Sequence, residues 1–129
     1  MEKRVEKVSA VKGVSPPRSS YSIYTRVGNL IFLAGLTGVD PETKEIPKSF
    51  PEQVRLIMES IKTTLESVGT SMDNILKTTV FLKDRSYLVS YDEIYKTYFK
   101  NGYPARSTVV ADLMHPDFLI EIEATAWIP

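Results

Sequence analysis

Arg106 stands in the run Pro104-Ala105-Arg106-Ser107-Thr108-Val109-Val110, and two carboxylates, Glu121 and Glu123, stand in Leu119-Ile120-Glu121-Ile122-Glu123-Ala124-Thr125-Ala126. Both runs otherwise read as sheet interior, rich in β-branched and small apolar residues. A charge in such a segment is costly to remove from water, so the guanidinium should meet a carboxylate, either in the protein or on a ligand. In the plainer of the two readings, Arg106 pairs with Glu121 or Glu123 across neighbouring strands on a solvated sheet face, a contact worth little. In the other, Arg106 holds the carboxylate of a small acid in its planar fork while one glutamate handles a water or a proton. Spacing alone favours the ion pair and does not choose a substrate.

Composition removes several other chemistries. There are no cysteines, which excludes disulfides, thiolate catalysis and the zinc sites built on sulfur. The one histidine, His115, precedes Pro116 in a turn-forming context and reads as a solvated loop residue, so a histidine triad or a multi-histidine metal site is excluded by counting. Sixteen basic and sixteen acidic residues cancel, at a sequence pI of about 6.6, and nucleic acid is therefore not expected as a partner. The start, Met1-Glu2-Lys3-Arg4-Val5-Glu6-Lys7, alternates charge and lacks the apolar centre of a signal peptide; no later run reaches membrane-spanning length. A cytoplasmic protein with no membrane contact is the expectation. With 129 residues, 43% of them hydrophobic and 25% charged, the chain is expected to form one domain over 1–129, without internal repeats.

The elements that must position Arg106 and the glutamates follow from pattern. A first strand is expected within Arg4 to Ser9, then a loop over Val14 to Ser20, where Pro16 and Pro17 break ladder pairing. Tyr21 to Val27 and Leu30 to Ala34 flank Gly28-Asn29 as a β-hairpin, and Gly35 to Lys48 reads as a surface loop turning at Asp40-Pro41-Glu42. Ser49 and Glu52 have capping-box spacing with Pro51 in the first turn; Val54, Ile57, Met58, Ile61, Leu65 and Val68 then trace one helical stripe, which Gly69 stops. Ser71 to Asn74 predicts a short helical turn and Thr78 to Leu82 a buried strand. A second helix spans Ser86 to Phe99, with Leu88, Tyr91, Ile94, Tyr95 and Tyr98 toward the sheet, and Asn101-Gly102 ends it.

Arg106 to Asp112 and Phe118 to Trp127 complete a β-β-β-α-β-α-β-β order, an α+β layer of about six strands with two main helices on one face. In the last strand, alternation places Ile120, Ile122, Ala124 and Ala126 under the helices and Leu119, Glu121, Glu123 and Thr125 on the other face. A hairpin between the last two strands would make them antiparallel neighbours and let Arg106 converge with Glu121 and Glu123. Two helices cover only one sheet face, so the glutamate face needs water, a ligand or another subunit, which points to a homo-oligomer.

Several ordered blocks, over roughly residues 20 to 127, carry a family resemblance. They are Gly28-Asn29 with the apolar strand ending in Ala34-Gly35, Asp40-Pro41-Glu42-Thr43, Lys77-Thr78-Thr79-Val80-Phe81-Leu82-Lys83-Asp84, Pro104-Ala105-Arg106-Ser107 and Ile120-Glu121-Ile122-Glu123-Ala124. Together they resemble the RidA/YjgF family. The resemblance implies a chorismate-mutase-like α+β fold, a homotrimer with clefts between subunits, and hydrolysis of reactive 2-imino acids such as 2-iminobutanoate and 2-iminopropanoate, in equilibrium with enamines, to 2-keto acids and ammonia. It implies no metal and no organic cofactor, and a role in protecting pyridoxal-phosphate enzymes. Within it Arg106 would clamp the imino acid carboxylate, Glu121 would position and activate the water, Glu123 would support the site or a subunit contact, and Tyr21 would help close the pocket.

The chain departs from the family pattern in the segment around Tyr21, at Ser20 and Ile23 among others, and at Thr108 and Asp92. Ser19-Ser20-Tyr21-Ser22-Ile23 stands where Gly-Pro-Tyr-Ser-Gln is common, Thr108 where many members have cysteine, and Asp92 where asparagine is frequent. Thr108 offers a hydroxyl hydrogen bond but no thiol, and an Asp92 carboxylate would interact differently with Arg106 or with an anionic substrate; Asp92 also reads as a plain solvated helix residue. These departures leave a non-catalytic sensor of keto acids or other small carboxylates as the alternative. The ribonuclease or translation-inhibitor activity described for some relatives is opposed by the balanced charge.

Overall fold

The computed structural model describes residues 4–129; Met1 to Lys3 of the charge-alternating start lie outside the described residues. Ser49 begins the long helix α1 (Phe50–Ser67), its hydroxyl accepting from the Glu52 N–H at 3.4 Å. Val54, Ile57, Met58, Ile61 and Leu65 are buried along its inner face. Gly69, at φ +81°, closes it: the Gly69 N–H donates to Glu66 O and the Thr70 N–H to Leu65 O, each at 3.1 Å, a Schellman arrangement that only a left-handed residue permits.

Six strands make one mixed sheet: β1 (Glu6–Val8), β2 (Tyr24–Val27), β3 (Leu30–Thr37), β4 (Ile75–Leu82), β5 (Ala105–Val110) and β6 (Ile120–Trp127), in the order β1-β2-β3-β6-β4-β5. β2 and β3 are joined through Gly28-Asn29; Gly28 has φ 56° and Asn29 does not share the positive φ, the requirement of a type II′ turn, which explains Gly-Asn where Asn-Gly is more usual. With α1 and α2 (Leu88–Tyr95), the order of strands and long helices is the one expected, and both helices lie on one face. Ile120, Ile122, Ala124 and Ala126 are buried beneath them, whereas Phe32, Val109 and Trp127 on the bare face are exposed.

Three expectations are corrected. β5 is not a neighbour of β6: it is the sheet edge, parallel to β4, and β6 lies between β3 and β4, antiparallel to both. The hairpin inference failed because β4, α2 and β5 form a crossover unit, long enough to make neighbouring strands parallel, and residues 111–119 then carry the chain back past β4. The second helix is shorter than Ser86 to Phe99: tight 3-10 turns at Arg85–Tyr87 and Lys96–Tyr98 flank α2, and Leu88 is exposed rather than facing the sheet. The Thr97 hydroxyl donates to Ile94 O at 2.6 Å, a local bond that competes with regular helix. β2 starts at Tyr24, leaving Tyr21 in the preceding loop, and β3 runs on to Thr37.

Candidate active site

Parallel register pairs Thr78 with Arg106 and Val80 with Thr108, so Arg106 and Thr108 share the helix-covered face with buried Thr78 and Val80. One turn apart on α2, Tyr91 and Tyr95 present their rings to this edge. The Arg106 guanidinium lies 5.1 Å from each ring centroid, a cation–π seat. Both rings are braced: the Tyr95 and Thr78 hydroxyls are 2.7 Å apart, and those of Tyr91 and Thr108 3.1 Å apart. Thr108 therefore holds the platform beneath Arg106. Burial raises the pKa of both tyrosines, keeping them neutral.

Asp92, also on α2, takes a hydrogen bond from Arg106 Nη1 at 2.8 Å. Desolvation works against the Arg106 charge, but the hydrogen bond to Asp92 and the charge of that carboxylate outweigh it and raise its pKa. A guanidinium has five donors, and among the described residues Asp92 alone accepts from this one. A pocket of about 440 Å³, of small-ligand size, is lined by Arg106, Asp92, Tyr95, Lys96, Tyr103 and Pro104.

Glu121 occupies the other face. It pairs with Thr37 of β3 and Phe81 of β4, beside a bulge at Ala34-Gly35 between the Leu33 and Leu36 pairings. Glycine at 35 leaves room for the Glu121 carboxylate in this position: a Cβ there would lie 2.8 Å from its Cδ and push the carboxylate aside. The carboxylate has no hydrogen-bond donor among the described residues; desolvation raises its pKa, and the Glu123 charge adds to the shift. Such a group binds and releases a proton more readily near neutrality than a solvated glutamate. Half-exposed Tyr21 and Gly35 line one small cavity of about 30 Å³, so Tyr21 belongs to the Glu121 end.

The structure thus gathers Arg106, Asp92 and Thr108 into one group, and Glu121 with Gly35 and Tyr21 into another. It does not bring Arg106 and Glu121 together within one protomer. The cross-strand pair of Arg106 with Glu121 or Glu123 is absent because the strands are not adjacent and the side chains leave opposite faces; the guanidinium's partner is Asp92. Glu123 is exposed opposite the bulge, and His115 lies in the 111–119 loop, its Nδ1 accepting from the Asp117 N–H at 3.0 Å. Among the described residues no three His, Asp or Glu side chains gather to hold a metal ion.

Sequence reasoning missed Gln53. Fully buried on α1, its Nε2 donates to Pro47 O and Asp117 O, each at 2.8 Å, and its Oε1 accepts from the Leu119 N–H at 2.9 Å. It ties both loops to α1 and fixes the entry to β6, two residues before Glu121. The only signal was a glutamine on the apolar face of the helix. Gly35 carried one as well, a glycine inside an apolar strand.

A six-stranded mixed sheet, covered on one face by two helices and bearing a motif arginine on its edge strand, defines the class as α+β. Residues 13–128 match the family described as Endoribonuclease L-PSP, and the chain belongs to this family, that of RidA and YjgF. A RutC family protein of Pyrococcus abyssi is 42% identical over 112 residues, 86% of this chain and 88% of its own length. The Escherichia coli protein named "Putative reactive intermediate deaminase TdcF" is 33% identical over 129 residues, 98% of this chain and 97% of its own. The structure of TdcF with bound serine superposes with a TM-score of 0.89, at 30% identity, over 96% of this chain and 100% of the other. RidA from the Antarctic bacterium Psychrobacter gives 0.90 at 28% identity, over 95% and 100% of the two chains.

Proposed function

We propose that this protein is an enamine/imine deaminase that hydrolyses 2-imino acids to 2-keto acids and ammonia. The observation that carries the reading is the Arg106 guanidinium, seated on two rings at the edge of a small-ligand pocket and held by one protein carboxylate through one nitrogen. Its remaining donors hold the substrate carboxylate and orient the imine carbon, lowering the entropic cost of reaction. Water adds to the protonated imine: Glu121 accepts a proton from the water as its oxygen bonds to the imine carbon and the C=N π pair moves onto nitrogen. Glu121 returns that proton to the carbinolamine nitrogen, the C–N bond breaks with its electron pair leaving in ammonia, and the hydroxyl proton passes back to Glu121 as the carbonyl forms. Tyr21 of the chain that supplies Glu121 closes the pocket. The chemistry uses no metal or organic cofactor. A relative named as a deaminase, seen with a small amino acid bound, supports this ligand class.

Arg106 and Glu121 leave opposite faces of one sheet, so a site containing both requires two copies of the chain. The bare face, with Phe32, Val109 and Trp127 exposed, supplies an apolar surface for such contact. A homotrimer with sites between subunits, working in the cytoplasm as a guard against reactive metabolites, is the assembly we propose; no helix among the described residues is long and apolar enough to cross a membrane. Balanced charge does not favour an RNA substrate. Keto acid formation, followed as the semicarbazone while a threonine or serine dehydratase generates imino acid in situ, tests the activity. Acceleration that disappears in Arg106→Ala is expected. Its absence across several imino acids overturns the enzyme reading and favours a small-carboxylate sensor, the alternative to which the Asp92 occupancy of Arg106 lends weight.

A further inference from the structure

The Arg106 pocket carries a second charge pattern that carboxylate clamping does not use. Asp92 engages Arg106 through Oδ1, while its Oδ2 has no partner among the described residues and the side chain is 47% exposed. Lys96, one helical turn further along, lines the same pocket and makes no ion pair among the described residues. Two cationic side chains and one carboxylate therefore line a space of about 440 Å³.

Resting on the reading of Arg106 as the carboxylate clamp, we propose that Asp92 is a specificity-determining residue, which selects small carboxylates with a protonated nitrogen on the adjacent carbon, 2-iminium and 2-ammonium acids, over the corresponding 2-keto acids. An ionised carboxylate only accepts hydrogen bonds. Beside a ligand held by Arg106 and Lys96, it accepts an N–H from a cationic nitrogen and repels the lone pairs of a keto oxygen. The asparagine frequent at this position could donate its amide N–H to the keto oxygen and would lose the discrimination. The same contrast separates substrate from product, since the reaction replaces the nitrogen with a carbonyl oxygen, and it favours product release.

Calorimetric titration of the full chain with L-2-aminobutyrate and with 2-ketobutyrate tests this without turnover, in the parent, Asp92→Asn and Arg106→Ala. The ratio of amino acid to keto acid affinity should fall roughly three- to tenfold in Asp92→Asn, chiefly because the keto acid binds more tightly, a size set by one charge-assisted contact at a partly exposed site. Lys96→Gln should weaken both ligands and leave their ratio in place. An unchanged or increased ratio in Asp92→Asn, with an unaltered melting temperature, overturns the proposal and leaves the Arg106 clamp standing. Ligands that fail to bind the parent, or that bind Arg106→Ala equally well, overturn both.

Discussion

The edge that carries Arg106 and the bare face that carries Glu121 differ in almost every respect. Arg106 has a counterion and an aromatic seat that favour its charge, whereas Glu121 has no donor among the described residues, is partly desolvated and stands near a like charge. One region is suited to holding an anion and the other to moving a proton. Their separation has a further consequence: on the same face within reach, the two would neutralise each other, and neither would remain for a ligand. Opposite faces keep Glu121 away from the guanidinium, whose partner is Asp92, and in the proposed assembly another chain supplies the second half of the site.

Removing the clamp breaks the comparison most sharply. Arg106→Ala should lower kcat/KM by about 100-fold or more, because orientation of the imine carbon is lost. The melting temperature should hardly move, since a partly exposed pair contributes at most about 1 kcal/mol. Equal loss of fold and activity would make Arg106 a structural residue.

Glu121→Gln should also cost about 100-fold in rate, but it should raise stability at neutral pH rather than leave it in place. A carboxyl whose pKa is raised by folding binds its proton more tightly in the folded state. Its favourable contribution is present below the unfolded value, about 4.3, and is lost as pH rises through the higher folded value. The variant should therefore be more stable than the parent at neutral pH, with the difference shrinking near pH 4. Denaturant midpoints at the two pH values measure this, and a variant less stable at pH 7 would contradict the burial of Glu121.

Two further substitutions separate the regions. Gln53→Ala leaves buried backbone groups without partners and should destabilise by about 2–4 kcal/mol. Hydrogen exchange should rise first at Leu119, whose N–H it binds, on the Glu121 side. Thr78→Val removes the partner of the Tyr95 hydroxyl and should cost about 1 kcal/mol, weakening carboxylate binding at Arg106 while leaving the Glu121 titration unchanged.

Local features were legible in the sequence. The Ser49 cap, the α1 stripe, the Gly69 stop and the alternation of β6 each depend on residues within a few positions of one another. Strand order was not, because pairing between β4 and β5 depends on a crossover helix, whereas sequence proximity suggested β5 with β6. That error carried the expected Arg106–Glu121 convergence with it. Tyr91 and Tyr95 were read correctly as facing the sheet, yet nothing in their spacing showed that their rings also seat a guanidinium. Asp92 was legible as a departure from a family pattern; its contact at 2.8 Å came only from the fold.

The most direct test of the central claim, a deaminase site assembled from Arg106 of one chain and Glu121 of another, is complementation. Arg106→Ala and Glu121→Gln chains are purified, co-refolded in equal amounts and assayed beside each variant alone. The account predicts two inactive variants and a mixture that recovers about one quarter of the parent activity, the fraction of interfaces at which both intact residues meet under random assembly. An active parent with no recovery on mixing would contradict it, placing any site containing both residues within a single chain.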